Sequence, residues 1–187
     1  MRVGRTAATA QDNGAQILEF ALALPLLVVF VVGIYDFGQA FNTKEKLTFA
    51  AKDGARFGAT QPTNDLSQSL PLSVVAIRDL VDADLVASGI NDCGLGANAI
   101  QQAAPVTWTA TVTCANSSSF TLIIDRGFVF STLVSGTSEP VRLISTRVEI
   151  KYPYQWHFNS VIQLVVPNAT YAGITQIDTA EIAANQD

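Results

Sequence analysis

The run "GAQILEFALALPLLVVFVVGIYDFG", Gly14 to Gly38, constrains this chain more than any other stretch. Between Glu19 and Asp36 it holds no charged residue. As a helix, the 19 residues Ile17–Tyr35 reach about 28 Å, close to the thickness of a bilayer core. Residues 1–14, "MRVGRTAATAQDNG", carry Arg2 and Arg5 and no apolar stretch. A secretory signal would place a small-residue cleavage site after the apolar run, and "YDFGQAFNTKEKL" offers none close to it. The positive-inside rule keeps Arg2 and Arg5 in the cytoplasm and sends the remainder across. Lys44 and Lys46 follow the run, accompanied by Asp36 and Glu45. The reading is a single-pass anchor, amino terminus inside and carboxyl terminus outside.

Glu19 works against this run. An acid at the centre of a spanning helix costs about 2.5–3.5 kcal/mol on insertion scales, and less near an interface. Two readings of it stand. A cut after Gly14 would make Ala15 the first residue and Glu19 the fifth, leaving a free ammonium at the membrane edge that a carboxylate one turn away neutralises. That partner would be the amino group of Ala15 in an adjacent subunit. Alternatively, Glu19 snorkels to the interface without a partner. Pro25 removes one backbone donor and crowds the carbonyl of Ala21, so a kink is expected there. Gly33 and Gly38 leave room for a second helix to approach, or are ordinary anchor glycines.

Charge excludes one class of partner. The chain carries 11 basic and 16 acidic residues, net −5, so it lacks the electrostatic footprint of a nucleic-acid binder. Without Arg2, Arg5 and Asp12 the remainder holds 9 positive and 15 negative groups, net −6. Cys93 and Cys114 enclose 20 residues, and outside the cytoplasm a disulfide is the expected state, contributing roughly 3 kcal/mol.

Beyond Asp36 the helical period continues to Ala59, with Phe37, Ala40, Phe41, Leu47, Ala51, Ala55 and Gly58 near one face, until the "PTND" turn at Pro62–Asp65. Anchor and continuation are expected to form one helix of more than forty residues. A second helix is expected over Pro71–Ser88, with Val74, Ile77, Val81 and Leu85 in one stripe. Asp79, Asp82 and Asp84 lie off that stripe as a solvated face, and Gly89 is the terminator. After Cys93 the period becomes two. In "VTWTATVTC", Val106, Trp108, Ala110, Val112 and Cys114 face one way and four threonines the other. Ser119–Asp125 and Gly127–Val134 read as two strands joined by a tight turn. Arg147–Tyr152 alternates with Val148, Ile150 and Tyr152 inward, and Pro153 ends that strand or sets it at an edge. "TYAGITQIDTAEIAA" reads as a closing strand, with a helical final turn as an alternative. The fold class is α+β: a long amino-terminal helix, which the resemblance described below implies is pilin-like, a second helix and an antiparallel sheet of four to six strands.

Motifs for chemistry are missing from the sequence. His157 is the only histidine and sits among aromatics; there is no CxxC, no paired-histidine metal motif and no glycine loop for phosphate. The alternating Tyr152, Tyr154, Trp156 and Phe158 are expected to pack a strand, with a partner-binding edge as the alternative. The expectation is a non-enzyme with no cofactor.

"GAQILEFALALPLLVVFVVGIYDFGQAF" followed by "LTFAAKDGARFGA" resembles the start of TadE-like pseudopilins of tight-adherence (Flp-type) pilus systems, over Gly14 to about Ala59. The resemblance rests on the glycine before the cut, Glu19-Phe20, Pro25, Asp36-Phe37-Gly38 and the "AAKDGAR" segment. It implies a leader at 1–14 removed by a prepilin peptidase, and a transmembrane and extended helix at 15–60. It further implies an exported domain at 61–187 and residence in the inner membrane or a pilus. Implied partners are other pilin or pseudopilin subunits, the peptidase, the inner-membrane assembly platform and membrane lipid. The competing reading is a membrane-tethered extracytoplasmic binding protein with an uncleaved anchor.

Overall fold

A computed structural model describes residues 9–133, 140–165, 168 and 173–186. Arg2 and Arg5, on which the expected orientation rests, lie outside the described residues, as do Val134 and the "TYA" of the closing segment. The elements are α1 (Thr9–Ala59), α2 (Leu72–Ala87), β1 (Gln101–Ala104), β2 (Thr107–Thr113), β3 (Ser119–Thr132), β4 (Val141–Gln155), α3 (Phe158–Val165) and β5 (Ile174–Ala184). The α+β class expected from the sequence is the observed one: a long apolar amino-terminal helix, a second helix and an antiparallel sheet.

The chain divides into two compact units. One comprises Met1–Gln39 with Trp156–Gly173, and the other Ala40–Gln155 with Ile174–Asp187.

In the second unit the five strands follow one another in space in chain order, each antiparallel to the next. A meander of this kind needs only local connections, and it exposes one face while burying the other. The buried face carries Trp108, Ala110, Val112, Phe120, Leu122, Ile124, Val148 and Ile150. Onto the same core pack Leu47, Ala50, Ala51 and Ala55 from the last turns of α1, and Val74, Ile77, Val81 and Leu85 from α2. The α1 contribution is made almost wholly of small residues, and Gly54 and Gly58 show why. A Cβ on Gly54 would lie 2.7 Å from Val81 Cγ2, and one on Gly58 2.7 Å from Thr146 Cγ2 and 2.8 Å from Ile77 Cδ1. Backbone and neighbouring side chains meet there without an intervening methyl.

The stripe on α2 is the one read from the sequence. Its carboxyl end closes as a Schellman motif: Gly89 takes φ +72°, its N–H donates to Val86 O, and Ile90 N–H donates to Leu85 O at 2.9 Å. At the other end Asp65 accepts from Ser73 N–H at 2.9 Å and from Ser73 Oγ at 3.1 Å, placing a negative charge where the first turn has free donors.

On the outer face, Arg147 pairs with Glu149 at 2.6 Å and Lys151 approaches Glu149 at 3.4 Å, while the Arg147 guanidinium stacks over Phe128 at 5.3 Å. Cys93 and Cys114 form a disulfide, Cα–Cα 5.1 Å.

Two expectations need correction, and one alternative left open is decided. The two strands expected over 119–134 are one strand, β3. The residues read as a tight turn are a bulge, where the register with β4 shifts between Asp125 and Phe128. Gly127 N–H is satisfied by Asp125 Oδ1 at 2.9 Å, and Arg126 N–H by Val106 O at 2.9 Å, so the ladder survives the interruption. Of the two readings of Pro153, the edge is the observed one, and Pro153 does not end β4. It pairs with Gln176 of β5, beyond Lys151, the last β4 residue paired with β3, so it occupies a stretch with a neighbour on one side. Second, residues 158–165 form α3 rather than continuing the aromatic alternation. The closing segment is strand through Ala184, as its first reading had it.

Candidate functional site

The site begins with the exposure of α1. Ile17 is 70% exposed, Leu22 73%, Leu26 60%, Phe30 63% and Ile34 74%, and these positions point in several directions around the helix. Such a surface has no place in water: at about 25 cal/mol per Å2, leaving a dozen large apolar side chains hydrated is very costly. The helix is long and apolar enough to cross a membrane, with a mean hydropathy of 2.7 and none of the spanning window buried in the chain itself.

At the start of this surface, α1 runs without interruption from Thr9 through Gly14 and Ala15. Gly14, Ala15 and Glu19 are all exposed. Ala15 and Glu19 are four residues apart, one helical turn, and so share a face. Among the described residues no ion pair or hydrogen bond engages Glu19. Pro25 is inside the helix, as its position in the sequence requires.

At the far end of the run the arrangement is different. Asp36 is completely buried. Its Oδ2 accepts the backbone N–H of Phe158 at 2.8 Å, and its Oδ1 lies 3.3 Å from His157 Nδ1. Phe158 is the first residue of α3, so Asp36 caps that helix from another part of the chain, placing its charge at the positive end of the peptide dipoles. Phe37 meets Trp156 edge to face with ring centroids 5.1 Å apart, and the Phe158 ring sits 3.4 Å from where a Cβ on Gly33 would be. Gly33, Asp36 and Phe37 lie at i, i+3 and i+4, a single face one turn long. Gly33 therefore admits an aromatic ring from α3 of the same chain.

Of this arrangement the sequence offered Gly33 as room for an approaching helix, and nothing that joined Asp36 to His157. His157, the only histidine of the sequence, has a side chain 77% exposed beside a buried acid. Asp36 closes the apolar run and belongs to the Asp36-Phe37-Gly38 segment of the resemblance, which names no partner for it. The two are 121 positions apart, and no local pattern joins them. Of the four alternating aromatics, Tyr152 and Tyr154 stay in β4, whereas Trp156 and Phe158 join α1 in the first unit.

In the second unit, burial and Asp92 hold the Asp82 carboxyl above its ordinary value, and burial together with Asp53 does the same for Asp84. Burial also raises the Tyr152 phenol. No group of three or more His, Cys, Asp or Glu placed to hold a metal ion occurs among the described residues.

Residues 14–56 match the family model described as TadE-like protein. The match opens on Gly14 and closes on Arg56, covering the exposed apolar run, Glu19, Pro25 and Asp36 as well as the part of α1 that packs under the sheet. It agrees with the resemblance drawn from the sequence. The match covers 43 of the 187 residues, all of them within α1. Searches of curated proteins and of solved structures found no match.

Proposed function

We propose that this chain is a pilin-like structural or assembly subunit of a tight-adherence pilus. A prepilin peptidase cuts it between Gly14 and Ala15, and its amino-terminal helix then holds it in the inner membrane with the 61–187 region exported. The observation that carries this reading is Glu19. It is an exposed acid one turn from Ala15, within the TadE-like match, and it is not engaged by any described residue of its own chain. A carboxylate held at the edge of lipid without a partner is unfavourable, and a new ammonium on a neighbouring subunit would relieve that cost. The partners are therefore other pilin or pseudopilin subunits, the peptidase and the assembly platform, and the work is assembly rather than catalysis.

The test is co-expression with a prepilin peptidase, followed by intact mass and amino-terminal sequencing. The expected mature protein starts at Ala15. Glu19→Ala is expected to leave membrane insertion and cutting intact and to abolish entry into the pilus or its assembly platform. A mature chain starting at Met1, or normal incorporation of the Glu19→Ala variant, would overturn the proposal. The first of those outcomes favours a tethered binding protein.

A further inference from the structure

Strands β4 and β5 pair along their length as far as Gln155 opposite Ile174, so the sheet itself needs only a short turn to join them. The chain inserts Trp156–Gly173 there instead, and these residues form a compact unit with the amino-terminal part of α1 rather than with the sheet. The insert closes on itself, with Trp156 N–H donating to Gly173 O at 3.4 Å. Its described helix, α3, starts at one defined height on α1, with Phe158 at Gly33 and Asp36, and Trp156 just before it meets Phe37. That height is the end of the apolar run, where a helix spanning from Ile17 leaves the bilayer core.

The sequence of the insert matches that location. From Phe158 to Ile177 there is no charged residue, in a chain where 14% of residues are charged. In α3, "FNSVIQLV", five apolar residues recur at helical spacing with three uncharged polar residues between them. Trp156 and His157 stand at its start, side chains with an apolar body and a polar tip of the kind that favours the headgroup level. Phe158, Val161 and Ile162 are partly exposed.

We propose that α3 is an interfacial helix: it lies in the outer headgroup region of the membrane with its apolar face against lipid, docked to the exit turn of the spanning helix through Asp36. The proposal rests on the membrane-anchored reading above and adds a second, lateral lipid contact to it. The partner is a lipid surface because the apolar face is continuous with an apolar helix that itself enters lipid, and because it offers no charge for pairing with a protein.

The experiment uses the full chain in vesicles of phosphatidylcholine and phosphatidylglycerol. A nitroxide is attached separately at Val161→Cys, Ile162→Cys, Val28→Cys in the spanning helix and Thr111→Cys on the exposed sheet, the native cysteines being already joined. Collision with oxygen, which concentrates in lipid, is compared with collision with a water-soluble nickel chelate. The expected oxygen-to-nickel ratio at 161 and 162 is severalfold above that at 111 and below that at 28, the signature of shallow burial. A ratio equal to that at 111, or poor access to both reagents, overturns the interfacial helix while leaving the anchor standing. A water-like ratio at 28 removes the anchor and this inference with it.

Discussion

The close approach of α1 to α2 gives a prediction whose sign depends on one methyl. Gly→Ala in a helix interior normally stabilises by roughly 0.5–1 kcal/mol, because alanine loses less conformational entropy on folding. At Gly54 the new Cβ would lie 2.7 Å from Val81 Cγ2, while Ile77 and Val148 stand at an ordinary 3.6 Å. Helix and sheet hold that site from both sides, so the overpacking cost of about 1–3 kcal/mol exceeds the propensity gain. Gly54→Ala is expected to destabilise by about 0.5–2 kcal/mol, a fall in Tm of roughly 3–6 °C per kcal/mol for a domain of this size. Val81→Ala alone removes two buried methyls and should cost about 2–3 kcal/mol. It also removes the single offending contact, so in the double variant the alanine at 54 enters the vacated space. The coupling should be favourable by about 1–2 kcal/mol, leaving the double variant no less stable than Val81→Ala. The assay is thermal unfolding of the full chain in detergent, followed by the circular dichroism of the sheet. Additive effects, or a stabilising Gly54→Ala, would refute steric exclusion as the reason for glycine at this position.

Burial and Asp53 raise the Asp84 carboxyl in the folded chain, so the folded state binds its proton more tightly than the unfolded one. Stability is then lost as pH rises from the ordinary value of 3.8 through the folded value. Asp84→Asn should accordingly raise Tm at pH 7 and give no gain below pH 3.8, checked by melts across that range. Opening the Cys93–Cys114 bond, by Cys93→Ser with Cys114→Ser, should cost about 2–4 kcal/mol in a denaturant titration, because it frees a loop of 21-residue separation in the unfolded chain. Asp36→Asn weakens the cap on α3, and amide exchange over 156–165 should quicken about tenfold while exchange in β2 and β3 is unchanged, read by mass spectrometry of peptides.

What could be read in the sequence was what repeats at a short period. The stripe Val74, Ile77, Val81, Leu85 and the alternation Trp108, Ala110, Val112 each declare a buried face within a dozen residues, and both are the faces observed. Elements that lack such a period were missed. β1 is "QQAA", wholly exposed at the sheet edge, and carries no apolar alternation to betray it. The bulge at Asp125-Arg126-Gly127 has a turn's composition, yet Gly127 N–H and Arg126 N–H find acceptors that keep β3 whole. α3 follows directly from a strand whose aromatics set up a false period of two, and its cap is a residue 122 positions away. Long-range pairing of this kind leaves no trace in local patterning.

The two acids that bracket the apolar run separate what one chain satisfies from what it leaves to others. Both flank a stretch whose side chains call for lipid, so each faces the same penalty for staying charged beside it. Asp36 meets that penalty internally: a backbone donor at 2.8 Å and an imidazole at 3.3 Å surround a carboxylate with no exposed surface. Glu19 has neither burial nor a donor among the described residues. If both acids served only the fold, the same solution would be expected at both ends. On the proposed function, the asymmetry is what a subunit requires when one end of its apolar run is finished by its own folding and the other is completed by assembly. On that argument, Asp36→Asn in the membrane should change the docking of α3 and leave pilus entry intact, whereas Glu19→Ala should do the reverse. A variant at either end that disturbed both readouts would show that the ends are not independent, and the division of labour between them would fall.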